Sequence, residues 1–332
     1  MKRDVAIWLF TLAASVVVLV LVGGLTRLTD SGLSITQWQP IAGIVPPLTD
    51  EAWAQAFALY RQIPEYQLIN HGMSLADFQY IYWWEWAHRA LGRMVGLIFL
   101  VPFIIFLMRR RLSRHELPPL LILFAMGAAQ GILGWYMVQS GLVDNVDVSH
   151  YRLASHLGLA LGIFVFSLWL GLCYWYGRPR NRGSHHRQAA FILALVWGQS
   201  LLGALVAGLD AGTIYNDFPL MDGAWFPEGL FSPIKGGVLG DPLSVQFLHR
   251  ITAYALLGLA LWHIFSTRGN GRGNGRGNGK ALLTAIFGQM LLGIATLLYT
   301  APLLLAVAHQ IGAVVVLALA TAHLYNLRYM VK

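Results

Sequence analysis

The sequence predicts an all-α integral membrane protein with eight transmembrane helices, arranged as two pseudo-symmetric four-helix bundles. Three observations lead to this prediction: a low content of charged residues, eight long apolar stretches and an internal repeat. Of the 332 residues, 57% are hydrophobic and only 11% are charged, whereas a soluble domain carries about 25% charged residues. Most of the protein surface must therefore face lipid.

The apolar stretches are each long enough for the roughly 20 residues that a helix needs to cross a bilayer. We expect the first to be an anchor and not a cleaved signal peptide, because its apolar run is long and no small-x-small cleavage site follows. The predicted spans are residues 5–25, 85–107, 118–139, 152–176, 189–209, 246–266, 281–300 and 303–325.

The basic residues predict the orientation of these spans. Sixteen of the 23 Lys and Arg residues fall on one set of connecting segments and termini, and such segments are typically cytoplasmic. We therefore expect a multi-pass protein of the inner (cytoplasmic) membrane, with both termini cytoplasmic and segments 26–84 and 210–245 facing outward. This asymmetry accounts for the net charge of +8, and no aromatic-basic pattern indicates nucleic-acid binding.

Two connecting segments differ in character. Segment 26–84 is rich in aromatic residues and has helical spacing over 51–62 and 75–84, which predicts a folded cap with helices at the membrane surface. Segment 268–280 repeats Gly-Asn-Gly-Arg, a composition that cannot form a core. We therefore predict a flexible cytoplasmic loop over residues 267–280.

An internal repeat divides the chain into two halves of four spans, residues 1–180 and 181–332. Glu85-Trp-Ala-His88-Arg89 in the second span corresponds to Gln246-Phe-Leu-His249-Arg250 in the sixth, and spans four and eight each carry a similar histidine. Parallel repeats of this kind are known in membrane proteins. Spans three, five and seven share Gln-x-x-Leu-Gly, beginning at Gln130, Gln199 and Gln289. We expect these elements to serve helix packing and not chemistry.

The histidines are the main candidates for metal chemistry. The single Cys173 excludes an internal disulfide, a Cys-rich zinc site and a Cys-ligated iron–sulfur cluster. His88, His156, His249 and His309 lie at matched depth, two in each half, and ionisable groups within a bilayer are usually functional. One bis-histidine haem site per half is the natural hypothesis, since a zinc site would need further ligands that do not repeat. Any one of these histidines alone could instead snorkel or bond a carbonyl.

Charged residues accompany the histidines. Arg89 and Arg250 directly follow a candidate ligand and Arg152 lies one turn before another, so we expect them to pair with haem propionates, although ordinary interfacial arginines are the alternative. Glu85 lies three residues before His88, on nearly the same helix face. The matching residue is the neutral Gln246, which predicts chemistry in one half and electron transfer in the other. The alternative for Glu85 is a first-turn acid favoured by the helix dipole.

A competing interpretation involves two more histidines. His263 and His323 each follow a candidate ligand by 14 residues, which returns to the same helix face about 21 Å further along. This spacing is typical of a di-haem transmembrane b-type cytochrome for electron transfer, although snorkelling at the helix ends also explains both residues. A transporter or haem-handling protein is a third possibility, which leaves Glu85 without a role.

With these motifs, the chain resembles the haem A synthase family of the proteobacterial and mitochondrial type over essentially its whole length. The most specific stretches are Gly23–Ser34, Pro64–Trp84 and Glu85-Trp-Ala-His88-Arg89. One departure is that some bacterial members carry a cysteine pair in the outward loops, and this sequence has none there.

The resemblance implies an oxidase that converts the C8 methyl of haem O into a formyl group by successive hydroxylations, giving haem A for terminal oxidases. It implies that His88 and His156 hold the substrate haem, with Glu85 as the acid–base or electrostatic group, and that His249 and His309 ligate a haem b. By the same resemblance, the partners are haem O, a haem O synthase, terminal oxidase assembly factors, the lipid bilayer and an electron donor that the residues do not identify.

Overall fold

The computed structural model describes residues 2–143, 145–178, 185–232, 237–267 and 275–329, and these residues form ten α-helices, three short 3-10 helices and no β-strand. Eight of the helices are long and apolar enough to cross a membrane, which confirms the predicted all-α protein with eight spanning helices; α2 and α3 are the two short ones. The helices are α1 (Arg3–Leu28), α2 (Asp50–Tyr60), α3 (Pro64–Leu68), α4 (Leu75–Met108), α5 (Leu117–Val138), α6 (His150–Tyr176), α7 (His186–Gly208), α8 (Pro242–Thr267), α9 (Gly275–Leu298) and α10 (Leu303–Tyr329).

Helix α4 is longer than predicted, because the expected cap helix over 75–84 and the second span form one helix. It begins at a capping box: the Ser74 hydroxyl accepts from the Asp77 backbone N–H at 3.2 Å, and the Asp77 carboxylate accepts from the Ser74 N–H at 3.3 Å. No glycine or proline lies between Leu75 and Glu85, so nothing ends the helix at the predicted boundary.

Helix α9 begins at Gly275, inside the segment predicted as a flexible loop. A helix nucleated by its apolar part adds further residues at little cost, and glycine here also allows close packing. A Cβ at Gly279 would lie 2.7 Å from Ile264 Cδ1 and 3.2 Å from His323 Cε1. The Gly-rich composition therefore lets α9 approach α8 and α10. Residues 268–274 of the predicted loop lie outside the described residues.

The chain divides into two compact units, and the first comprises Met1–Ala13 and Leu161–Lys332. Within it, α7 contacts α8 and α10, and α9 contacts the same two helices, so these four helices form a closed bundle. Tyr325 is buried against Trp169 with ring centroids 5.6 Å apart, and its hydroxyl donates to the Gly177 carbonyl. Such contacts bring the end of α6 into this unit, so this division of the chain by contacts falls within α6.

The second unit, Ala14–Ala160, contains a core of its own within segment 26–84. Its aromatic rings pack closely: Phe57 stacks on Phe78 at 5.0 Å, and Trp53 meets Tyr82 edge-on at 5.0 Å. We call this core the aromatic cluster; its buried members are Leu33, Trp53, Tyr60, Ile63, Tyr66, Phe78, Ile81 and Tyr82. Because Leu33 belongs to it, the residues that follow Leu33 are held against α4 near Glu85.

Candidate functional site

The four predicted haem ligands lie on α4, α6, α8 and α10, and the side chain of each is partly exposed. In the bundle α7–α10, the rings of His249 and His309 have centroids 6.4 Å apart and planes inclined by 73°. Two metal–imidazole bonds of about 2 Å each, together with the radii of the two rings, span this distance. The gap therefore fits one metal ion with both histidines as ligands.

His88 and His156 are the corresponding two histidines in the unit Ala14–Ala160. Each has a buried Nδ1 atom with no hydrogen-bond partner. Leaving a buried polar atom unsatisfied costs about 1–3 kcal/mol. Two partly exposed imidazoles, each with one buried ring nitrogen that lacks a partner, fit the donor set that an axially ligated haem requires.

Each of the four rings packs against a glycine on the preceding membrane helix. A Cβ added to the glycine would lie only 2.7–3.3 Å from the Cε1 atom of the ring, whereas carbon atoms normally pack at about 3.5–4.0 Å. Any larger residue would therefore displace the ring. The glycine–histidine pairs and their distances are Gly23–His88 at 2.7 Å, Gly134–His156 at 3.0 Å, Gly203–His249 at 3.3 Å and Gly293–His309 at 2.7 Å.

Three of the four rings also contact a glutamine amide, four residues before the glycine on the same helix. The amide nitrogens of Gln130, Gln199 and Gln289 donate to the backbone carbonyl of their histidine at 3.0, 2.9 and 2.7 Å. The same nitrogens lie 3.3, 3.1 and 3.1 Å from a ring nitrogen. The histidines contacted are His156, His249 and His309, in that order.

The Gln-x-x-Leu-Gly elements thus do more than the helix packing that the sequence predicted. Both ends of each element, the glutamine and the glycine, contact a candidate ligand. A signal for this was available in the sequence, because a spacing of four places both residues on one helix face, and each element precedes a histidine-bearing span.

Glu85 is almost fully buried, with 2% exposure, and its carboxylate accepts four hydrogen bonds. Oε1 accepts from Arg89 Nη2 at 2.6 Å and Nε at 3.1 Å. Oε2 accepts from the Ser34 hydroxyl and the Ile35 backbone N–H, both at 2.7 Å. Glu85 therefore ties α4 to the segment that leaves the aromatic cluster.

Gln246 occupies the matching place on α8, but it donates hydrogen bonds to its connecting segment, whereas Glu85 accepts them. Its amide nitrogen donates to the backbone carbonyls of Ala211 at 2.7 Å and Tyr215 at 3.1 Å, and its Oε1 accepts from Arg250 Nη2 at 3.0 Å. Around residue 85 the connecting segment presents an O–H and an N–H, whereas around residue 246 it presents carbonyls. Because a carboxylate only accepts and an amide also donates, the Glu/Gln difference follows from these local partners.

Arg89 and Arg250 hold the connecting segments that precede their helices. Arg89 donates to the carbonyls of Ile35 at 2.8 Å and Gln37 at 3.2 Å. Arg250 donates to the carbonyls of Tyr215 and Asp217, both at 2.9 Å, and of Leu220 at 2.8 Å. With their bonds to Glu85 and Gln246, each arginine commits four of its five N–H groups within the protein.

Arg152 also bonds within the protein, near the start of α6. Its Nη1 donates to the Tyr136 carbonyl at 2.6 Å, and its guanidinium lies 3.6 Å from the centroid of the Tyr136 ring. Cation–π stacking of this kind orients the guanidinium plane. Sequence reasoning did not identify these backbone and aromatic partners of the three arginines.

His263 and His323 form a different kind of pair from the other four histidines. Both are buried with 1% exposure, and their Nε2 atoms lie 2.8 Å apart, within hydrogen-bond distance. His263 Nδ1 also bonds to Gln188 Oε1 at 2.9 Å. A metal between two imidazoles in line needs about 4 Å between the nitrogens. This geometry does not favour the di-haem cytochrome, which needs a second haem between them.

Comparison with known proteins assigns the chain to a family. The profile described as cytochrome oxidase assembly protein, COX15-CtaA, matches residues 6–321. The chain belongs to this family. The heme A synthases of Parvibaculum lavamentivorans, Caulobacter vibrioides and Chelativorans sp. are 50%, 47% and 49% identical to it. These alignments cover 97%, 98% and 96% of this chain and 94%, 97% and 90% of the relatives.

The match to the COX15-CtaA family includes both histidine pairs, all four glycines and the three glutamines. It therefore covers the whole candidate site and not one half of it. The family predicted from the sequence motifs is confirmed.

Proposed function

We propose that this chain acts as a haem A synthase, oxidising the C8 methyl of haem O to a formyl group and so supplying haem A to terminal oxidases. The observation that supports the proposal most strongly is the presence of two pairs of partly exposed histidines, each ring seated against a glycine of the preceding helix. These pairs lie in a chain that is 47–50% identical to heme A synthases over nearly its full length.

In the proposed C-terminal site, His249 and His309 hold a haem b between α8 and α10. A bound haem supplies one-electron chemistry, and the protein sets its orientation and electronic environment. The ring separation of 6.4 Å supports this assignment. Gln199 and Gln289 donate to the backbone carbonyls of the two histidines from α7 and α9.

In the proposed N-terminal site, His88 and His156 hold the substrate, haem O. Glu85 is the acid–base or electrostatic group beside the substrate. Its carboxylate is fixed by Ser34, Ile35 and Arg89, and a charge held in place stabilises positive charge that develops as the methyl group is oxidised. Two successive hydroxylations would convert the methyl group into a gem-diol, which loses water to leave the formyl group; the carbon gives up four electrons in total, and an external oxidant must accept them.

The three arginines are proposed to contact the haem propionates through N–H groups that are not already hydrogen-bonded within the protein. Arg250 has a buried Nε without a partner, and Arg89 retains one N–H of Nη1. Arg250 would serve the haem b, and Arg89 and Arg152 would serve the substrate haem. A guanidinium paired with a propionate makes a strong, charge-assisted bond.

The proposal also includes location and partners. The Lys and Arg distribution supports the cytoplasmic membrane with both termini cytoplasmic. The internal repeat of the sequence supports two pseudo-symmetric four-helix halves. A haem O synthase would supply the substrate, and factors that assemble terminal oxidases would receive the product.

Product analysis tests the proposed function. The chain is co-expressed with a haem O synthase, and the extracted haems are separated by reversed-phase HPLC with mass detection. We expect haem A from the wild type and none from His88→Ala. His71→Ala is the matched control, because His71 is exposed and lies outside the helices; it should leave haem A production intact. Detection of only haem b and unaltered haem O with the wild type would refute the proposal.

Glu85→Gln separates a chemical role of Glu85 from its role in holding the connecting segment. If Glu85 acts on the substrate, the variant binds haem O and haem b in normal amounts but does not form haem A. Loss of bound haem O, with haem b retained, would instead indicate that Glu85 only maintains the shape of the site.

A further inference from the structure

We propose that residues 38–48 form a loop that inserts into the bilayer, where its apolar side chains contact lipid and its backbone is held against α4 by Arg93. We call this segment the apolar loop. It enters the leaflet at the Leu75 end of α4, which is the outward leaflet in the proposed orientation. Its partner is the acyl-chain region of the membrane, a contact that does not depend on the proposed haem chemistry.

The apolar loop exposes much hydrophobic surface although it lies outside the spanning helices. No charged residue occurs over residues 31–49, so this surface offers water no ionic group. Exposed apolar patches of this kind mark contacts with a membrane or a partner. The large hydrophobic residues of the loop are 45–81% exposed: Trp38, Ile41, Ile44, Val45 and Leu48.

Helix α4 sets the depth of the loop in the bilayer. The helix has 34 residues and is about 51 Å long, whereas about 20 residues cross the hydrocarbon core. Three arginines follow its last residue, Met108, and they mark one boundary of the core because a charged group inside it is costly. Counting back about 20 residues from Met108 reaches Arg89. Arg93 therefore lies about 6 Å inside the core at the other boundary.

The backbone of the apolar loop reaches the depth of Arg93. The Nε of Arg93 donates to the Pro40 carbonyl at 3.0 Å, and its Nη2 donates to the Gln39 carbonyl at 3.1 Å. A Cβ at Gly43 would lie 3.2 Å from the same Nη2, so the turn of the loop packs directly on the guanidinium. An arginine within the core needs acceptors, and irregular backbone there needs donors. Each partner meets the requirement of the other.

The remaining backbone of the apolar loop also suits a site without water. The N–H groups of residues 43–45 donate to carbonyls within the loop at 3.1–3.4 Å. Residues 40, 46 and 47 are prolines, which have no N–H group. Internal pairing and proline together remove backbone donors that would otherwise require water, as irregular backbone in hydrocarbon demands.

The start of the apolar loop adjoins the ion pair of Glu85. The guanidinium of Arg89 lies 5.8 Å from the centroid of the Trp38 ring. The same guanidinium donates to the Gln37 carbonyl at 3.2 Å and to Glu85 at 2.6 Å. Tryptophan is the residue type that suits the membrane–water boundary. The depth of the loop in lipid therefore bears on the position of Arg89 and, through it, of Glu85.

The C-terminal half has no counterpart of this arrangement in its sequence. The residue that corresponds to Arg93 on α8 is Tyr254, at the same distance from the candidate ligand. Insertion is therefore a property of residues 38–48 and not a general result of the internal repeat, because lipid excludes charged groups. The connecting segment 214–231 carries three acidic residues, Asp217, Asp222 and Glu228.

Nitroxide accessibility in a bilayer tests the insertion. Cys173, the single cysteine, is replaced by serine, and Ile44→Cys and Leu68→Cys are spin-labelled separately in the full-length protein. The labelled protein is placed in nanodiscs of phosphatidylethanolamine and phosphatidylglycerol. Leu68 is the matched control, because it is 72% exposed and lies at the end of α3. That helix packs through Tyr66 into the aromatic cluster, whose member Phe78 lies about 22 Å from Arg93 along α4.

The two labels should respond in opposite ways to two relaxing reagents. Molecular oxygen concentrates in hydrocarbon, whereas a nickel chelate stays in water. We expect oxygen to relax the nitroxide at residue 44 more than the nickel chelate does, and the reverse at residue 68. A preference for the nickel chelate at both positions would overturn the insertion, and this is also the result for a loop that binds a protein partner instead of lipid. A preference for oxygen at both would assign the lipid contact to the whole cap and overturn it as well.

Arg93→Gln tests the anchor on α4. With the label at residue 44, the variant should shift the accessibility toward the nickel chelate, because the carbonyls of residues 39 and 40 lose their donors. Unchanged accessibility would contradict the role of Arg93. If the variant does not fold, the label is placed at Ile41, which is 81% exposed, in the otherwise unchanged chain; a nitroxide there that favours the nickel chelate would overturn the insertion.

These results can be distinguished from failure of the proposed function. A chain whose residue 44 lies in lipid but that forms no haem A would refute the enzymatic activity and leave the insertion intact. A chain that forms haem A with residue 44 in water would do the reverse.

Discussion

Alanine at Gly293 is expected to displace the ring of His309 and so to weaken haem binding between α8 and α10. The added Cβ would lie 2.7 Å from His309 Cε1 and 3.4 Å from both ring nitrogens. Carbon atoms pack at about 3.5–4.0 Å, so the ring must move by about 1 Å. A ring that has moved by this amount no longer directs its nitrogen toward the midpoint between the two histidines.

The magnitude follows from the cost of overpacking. Inserting a methyl group into a filled site typically costs about 1–3 kcal/mol, and about 1.4 kcal/mol corresponds to a tenfold change in an equilibrium constant. We therefore expect the affinity for this haem to fall by about 5- to 150-fold. Gly203→Ala, where the corresponding distance is 3.3 Å, should have a smaller effect than Gly293→Ala.

The assay is the ratio of haem to protein in the purified variant, measured by the pyridine haemochrome method during titration with haem. Gly288→Ala is the matched control on the same helix, because a Cβ there meets nothing within 4 Å. It should retain the wild-type ratio and gain about 0.5–1 kcal/mol of helix stability. Equal haem affinity of Gly293→Ala and Gly288→Ala would show that the glycine does not define the seat of the ring.

Three further predictions concern residues around the candidate site. Burial raises the pKa of Glu65 from 4.5 to about 8, so the folded chain holds this proton more tightly than the unfolded chain. The stability of the aromatic cluster should therefore fall as the pH rises from 4.5 to 8. Hydrogen exchange over α2 and α3 should show this trend, and Glu65→Gln should remove it. Gln246→Glu places a carboxylate against the carbonyls of Ala211 and Tyr215, so limited proteolysis should cut segment 211–217 faster than in the wild type, and an unchanged rate would contradict the assigned hydrogen bonds. His323→Phe should leave the haem content unchanged, because His323 bonds to another histidine; a lost haem would restore the di-haem cytochrome interpretation.

Much of the fold could be predicted because each membrane-spanning helix must be apolar enough to enter lipid on its own. A run of apolar residues identifies a span whatever its neighbours are, and the eight spans were found in this way. The boundary errors have local causes: Ser74 caps α4 eleven residues before the predicted span begins, and α9 begins at Gly275 within a glycine-rich repeat that composition assigns to a loop.

The partners of the arginines and glutamines could not be predicted in the same way. Arg89 bonds to Ile35 and Gln37, and Gln199 bonds to His249, across separations of about fifty residues in sequence. Nothing in a local pattern states which carbonyl or ring a side chain will reach. The sequence therefore identified Arg89 as important but assigned it a propionate partner only.

The sequence by itself determined the membrane-spanning architecture, the four candidate ligands and the family, because hydropathy, spacing and motif identity are properties of the chain alone. Only the tertiary structure decided which helices face each other, and hence that each ring packs on a glycine and that three of the four rings contact a glutamine amide. The same holds for His263 and His323, whose spacing matches a second haem site but whose nitrogens lie 2.8 Å apart. Distances between helices depend on the packing of every side chain between them, and a periodic pattern along one helix does not contain that information.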